Sequence, residues 1–306
     1  MLIAIALSLA QLGTSAVPQH DPEIEALLRR RDEQRRAEAQ GQTQTQAPEA
    51  GSDRDGLATA LPPEIAARLA ACLERANAAP ADGIADAQAW ASTGGGAHAA
   101  LCHGYALGQD ERWAEAASVF EKGAQTEGID APTQARLWSQ AGNAALIDGD
   151  GPRAVRALDA ALAQPLPRTL TTGEIHLDRA RARVATDDLK GARADLDEAV
   201  VLAAADPLAW LLSATLARRM DDLPLARLHI EEAAKRARND ASIALEQGII
   251  LALAGDNDAG ARAAFSRAQD LAPPDSEIAR QAKDYLGQLA PDDAAGDPQR
   301  EDEPGR

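Results

Sequence analysis

Aromatic residues are scarce in this chain, making up 3% of its 306 positions, and there are two methionines and two cysteines. So few large rings exclude a core built from a handful of bulky side chains, and a folded body must rest on many small contacts. Alanine dominates the apolar class instead. It is the strongest helix former, and its methyl group lets neighbouring helix backbones approach closely. Basic residues are also in deficit: 31 Lys and Arg stand against 48 Asp and Glu, for a formal net charge of -17. That balance argues against nucleic acid as a partner, because non-specific binding rests on neutralising phosphates. No apolar run is long enough to cross a bilayer, so no stable membrane span is expected.

The apolar start, residues 1–10, gives way to Gln11, Leu12, Gly13, Thr14, Ser15 and Ala16. Small residues at Thr14 and Ala16 suit signal-peptidase cleavage, so residues 1–16 read as a signal peptide and the protein as periplasmic or otherwise exported. No Lys or Arg precedes the apolar run; if it is not a signal, it is a peripheral anchor or the start of a cytoplasmic protein. Export would permit a disulfide between Cys72 and Cys102, pinning the first helical segment to the first full repeat. Two buried thiols are the alternative. Residues 17–60 combine a charged segment containing Arg29, Arg30, Arg31, Arg35 and Arg36 with a flexible linker rich in Gln, Thr, Pro and Gly.

The dominant pattern is a register of small and apolar residues. It runs through Ala116, Phe120 and Gly123; Ala154, Leu158 and Ala161; Ala192, Leu196 and Ala199; Ala226, Ile230 and Ala233; and Ala261, Phe265 and Ala268. The copies are separated by 38, 38, 34 and 35 residues, the mark of stacked helical hairpins. Residues three and four apart share one helical face, so each trio forms a stripe toward a partner helix. Five repeats are expected over 97–274. A degenerate capping hairpin precedes them at 61–96, with a first helix through Ile65, Leu69, Cys72 and Leu73 and a short second helix from Ile84 to Ala91. The turn of the fifth repeat reads as one residue longer than the others. A capping helix at 275–290 and a disordered acidic tail at 291–306 complete the chain.

In the second copy, Trp138, Ala141, Gly142 and Ala145 precede Gly149 and Asp150, then Ala154, Leu158 and Ala161. With these residues the chain resembles the tetratricopeptide-repeat family, and more closely the exported, Ala-rich repeat proteins of Proteobacteria. The resemblance covers about residues 97–274. It departs in the third copy, where Arg183 stands at a usually aromatic position. The resemblance implies an all-α, right-handed superhelical solenoid of antiparallel helix hairpins whose concave groove binds peptides or partner proteins.

Candidate chemistry is sparse. His20, His98, His103, His176 and His229 have no companions at metal-site spacing, so no metal is expected. Gly94, Gly95 and Gly96 lack the strand and the Lys-Ser/Thr pair of a phosphate loop. Asp187 and Asp188, like Asp221 and Asp222, fall at helix-helix turns, where short polar residues cap helices. No nucleophilic triad can be assembled, and the chain reads as a non-enzyme without cofactors.

The family's inward-facing first-helix positions map onto Tyr105, Asn143, Arg181, Thr215, Arg218 and Arg219. Arg181, Arg218 and Arg219 together would suit a carboxylate or acidic segment, since guanidinium makes paired charge-assisted hydrogen bonds. The alternative is that they pair with acidic residues of adjacent helices. The family's carboxylate-binding pattern of alternating Lys and Asn is matched at Asn143 alone, so that specialised activity is not implied. The functional expectation is a non-catalytic scaffold binding a protein or peptide. The alternative is a structural component of a cell-envelope assembly that self-associates through repeat edges as a homo-oligomer.

Overall fold

The structure is a computed structural model that describes residues 61–166, 168 and 170–289. The expected signal peptide, charged segment with its linker and acidic tail lie outside the described residues. Among the described residues there are thirteen helices and no strand. They are α1 (Pro63–Ala78), α2 (Pro80–Ser92), α3 (Gly96–Gln109), α4 (Trp113–Ala124), α5 (Ala131–Ile147), α6 (Gly151–Leu162) and α7 (Leu170–Ala185). Then follow α8 (Leu189–Leu202), α9 (Pro207–Arg219), α10 (Leu223–Arg236), α11 (Ala241–Ala254), α12 (Asp258–Leu271) and α13 (Glu277–Gln288). None of them is long and apolar enough to cross a membrane.

The chain divides into two compact units, Met1–Leu202 and Ala203–Arg306. The first holds the pairs α1/α2, α3/α4, α5/α6 and α7/α8; the second holds α9/α10, α11/α12 and the single α13. Within each unit the second helix of a pair packs on the first helix of the next, and successive first helices also touch. The five expected repeats are thus divided three and two. The division falls in the interval where the repeat spacing shortens from 38 to 34 residues.

Close packing explains the small residues. A Cβ added at Gly104 would lie 2.5 Å from the Phe120 ring, one at Gly142 2.5 Å from Leu158, and one at Gly248 2.5 Å from the Phe265 ring. The same small-to-large junction recurs in three hairpins. Ala116, Ala154, Ala192, Ala226 and Ala261 are all at most 1% exposed, so the whole register is core. Gly83 plays the same part between α1 and α2, where a Cβ would meet the Ala76 Cα at 2.5 Å. That contact corrects the expected start of α2 at Ile84. Pro80 supplies a preformed φ at the first helical position after extended Ala79, and Gly83 is retained for close approach despite its poor helix propensity.

Aspartates open many of the helices. The side chains of Asp130, Asp150, Asp206, Asp222 and Asp240 accept hydrogen bonds from backbone N–H groups of α5, α6, α9, α10 and α11, and Asp188 accepts one from Gly191 in α8. The acidic pairs are therefore structural: Asp188 and Asp222 cap, while Asp187 (φ 62°) and Asp221 (φ 63°) make the left-handed turn. In the five repeats three residues separate the paired helices, whereas Ala79 alone separates α1 from α2. In the first four the left-handed residue (Glu111, Gly149, Asp187, Asp221) is the second of the three; in the fifth, Gly255 is the first. The fifth turn is therefore no longer than the others, contrary to the expectation: the extra residue lies in α11, which runs six residues beyond Gly248 where α5 runs five beyond Gly142, and the repeat is kept.

Candidate functional site

The first helices carry the six candidates that the resemblance implies face inward, three in each unit. In the first unit, Tyr105, Asn143 and Arg181 occupy the same register on α3, α5 and α7, whose neighbours pack side by side. The Tyr105 hydroxyl donates to Asn77 Oδ1 of α1 at 2.5 Å. Arg181 lies 3.3 Å from the Asp178 carboxylate one turn earlier. Asn143 differs from both, because its Oδ1 is buried and accepts no hydrogen bond. A buried carbonyl oxygen left without a donor costs on the order of 1–3 kcal/mol, so the position carries a polar group that the fold itself does not use.

In the second unit, Thr215 Oγ1 donates back to the Leu211 carbonyl at 3.0 Å and is satisfied within α9. Arg218 Nε donates to Glu246 Oε1 of α11 at 2.7 Å, and Nη2 reaches Oε2 at 3.2 Å. Glu246 is buried, so this guanidinium is committed to a neighbouring helix. Arg219 is exposed and has no ion pair among the described residues. Adjacent residues on a helix diverge by about 100°, so Arg218 and Arg219 do not share a face. Two of the three arginines expected as a carboxylate cradle thus have internal carboxylates, Arg218 on an adjacent helix and Arg181 on its own helix.

Sequence reasoning missed a buried charge cluster among the described residues. Asp195 on α8 is 2% exposed, yet its carboxylate receives His176 Nδ1 at 2.8 Å, Arg179 at 2.6 and 2.9 Å, and Arg183 at 2.9 Å. Arg179 also reaches Asp159 of α6 at 2.8 Å, joining the third hairpin to the second. Burial alone would raise the Asp195 carboxyl, but hydrogen bonds from His176 and Arg179 and the charges of Arg179 and Arg183 hold it below the ordinary carboxylate range. Arg183 therefore replaces aromatic packing with ion pairing and a hydrogen bond to the Gly191 carbonyl. The legible signal was the cationic stripe His176, Arg179 and Arg183 at helical spacing; its buried partner looked like one more polar residue.

The matching position in the fourth hairpin is also polar. Ser213 Oγ and His229 Nδ1 lie 2.7 Å apart in the core, with the His229 ring set edge-on to Trp210. Both histidines thus sit in packed helix junctions, and among the described residues no group of three His, Cys, Asp or Glu is placed to hold a metal. Cys72 and Cys102 are joined in a disulfide, with both residues fully buried.

This arrangement of paired helices occurs in known structures. PilF of Pseudomonas aeruginosa superposes with a TM-score of 0.60 at 13% identity, covering 78% of this chain and 100% of that one. The C-terminal part of a TPR repeat-containing protein from Cytophaga hutchinsonii gives 0.52 at 14% identity, over 71% of this chain and 87% of that one. YrrB, described as a TPR protein with an unusual peptide-binding site, gives 0.50 at 18% identity, over 64% of this chain and 96% of that one. The fold is tetratricopeptide-like. No protein-family model and no curated protein matches the chain. The likeness is one of fold, at identities too low to carry function across.

Proposed function

We propose that the protein is a non-catalytic scaffold that binds an extended segment of a partner protein along the first helices of its repeats. The observation that carries this reading is Asn143. Its Oδ1 lacks a donor and is turned inward on a half-buried side chain, in a column that also holds Tyr105 and Arg181; rotation of the amide toward the surface lets a peptide backbone N–H supply one. In the second unit, taken by itself, Arg219 is exposed and without an ion pair among the described residues, and offers a separate contact for an acidic side chain. The peptide-binding site named for YrrB is in keeping with this use of the fold. A cell-envelope location completes the proposal, in line with the exported, Ala-rich repeat proteins that the sequence resembles. The Cys72–Cys102 disulfide supports it, because such bonds persist in oxidising compartments.

The test is the affinity of Asn143→Ala for a partner captured from the envelope fraction. Affinity should fall about tenfold, the usual worth of a buried hydrogen bond, while stability to denaturant is unchanged or rises because no internal bond is lost. Unchanged affinity overturns the reading. Self-association through repeat edges remains a second reading, favoured by exposed Leu228 on α10, 56% accessible, and Val201 on α8, 66% accessible. Concentration-dependent dimerisation abolished by Leu228→Lys or Val201→Lys would support it.

A further inference from the structure

The helix α1 is attached to the rest of its unit in an unusual way. Of its 16 residues, Cys72 and Ala76 alone are fully buried. Its charged contacts run to α2: Arg68 makes a two-pronged pair with Asp86 at 2.7 and 2.9 Å and lies 4.9 Å over the Trp90 ring, while Arg75 reaches Asp86 at 2.5 Å. Toward α3 the polar and covalent ties are two among the described residues, the Cys72–Cys102 bond and the exposed hydrogen bond from Tyr105 to Asn77. The apolar cluster at this junction is small: Cys72, Ala87 and Cys102, with Leu69 and Leu73 packed against it. Without the covalent bond, α1 keeps its charged partners on α2, while on α3 it keeps a close backbone approach, that small cluster and one exposed hydrogen bond.

We infer that α1 is a redox latch: the Cys72–Cys102 disulfide holds it over the face of α3 that carries Tyr105, and reduction releases it. The disulfide is fully buried, so the latch must first open locally before a reductant can reach it. A dithiol reductant then attacks one sulfur as a thiolate, the Cys72–Cys102 bond breaks, and a mixed disulfide forms. The second thiol of the reductant resolves it, forming the reductant's own disulfide. Cys72 and Cys102 leave as thiols, having gained two electrons and two protons. Released α1 withdraws Asn77 from the Tyr105 hydroxyl, which becomes available to a ligand. That last consequence rests on the reading of the first helices as a binding face; the release itself does not.

Hydrogen exchange of the full chain, without a partner and with or without dithiothreitol, tests the latch directly. A bond closing a loop with a sequence separation of 30 residues should slow opening on the order of a hundredfold. Amides of α1 should therefore exchange about a hundredfold faster after reduction, while those of α4 to α8 keep their protection. The variant Cys72→Ala, Cys102→Ala should exchange fast in α1 under both conditions. Unchanged exchange in α1 overturns the inference, and so does loss of protection across α4 to α8, which would make the bond a staple of the whole unit. Because no partner is present, either failure is separable from a failure of the binding proposal.

Discussion

At the scale of single residues, the repeat is specified by steric pairs. Gly104 faces Phe120 so closely that the added methyl of Gly104→Ala must displace a ring held in the core. The variant should lose about 1–3 kcal/mol of stability, the usual cost of overpacking, measured by urea denaturation. Such pairs were legible in the sequence because the small residue of the first helix and the large residue of the second recur with each copy. Gly83 was not legible in this way. A lone glycine within a helix reads as a breaker until its neighbour is known, and the neighbour, Ala76, lies on another helix. The same limit hid Asn77 as the partner of Tyr105 and Glu246 as the partner of Arg218, since sequence spacing does not tell which acidic or amide group a long side chain will reach.

At the scale of elements, the third hairpin is held differently from its neighbours. In the second, Ala141 and Ala157 are both core residues; at the corresponding positions of the third, Arg179 pairs with Asp195. Replacing Asp195 with Asn leaves two guanidiniums without their buried charge partner and should cost about 3–5 kcal/mol, read from the denaturation midpoint of the first unit. The pH dependence follows from the lowered Asp195 pKa. Its folded value lies below the unfolded one of about 4, so the stabilisation is fully present above pH ~4 and is lost as pH falls through the folded value. Wild-type protein should therefore lose stability on acidification below pH ~4 more steeply than Asp195→Asn. An equal acid slope for the two proteins would remove Asp195 from the account. The helix pattern announced this hairpin, because Ala192, Leu196 and Ala199 keep the register, but the chemistry inside it did not show in periodicity.

At the scale of the whole molecule, the fold followed from the repeat spacing and the alanine-rich core, whereas the binding site followed only in part. The six inward-facing candidates were placed by analogy of position, and the structure sorts them by what each already holds. Thr215, Arg181 and Arg218 have internal partners, Tyr105 is engaged by α1, and Asn143 and Arg219 have polar capacity to offer. A surface that keeps hydrogen-bonding groups unspent on the first helices is suited to extended peptide, and the central claim is that partners bind there. The most direct measurement is site-specific photo-crosslinking in cells that express the protein, with the probe at Asn143 on the first helix of the second hairpin or at exposed Arg156 on its second helix. The account predicts a discrete adduct with a partner protein from position 143 and none from position 156. Adducts from position 156 alone would contradict it.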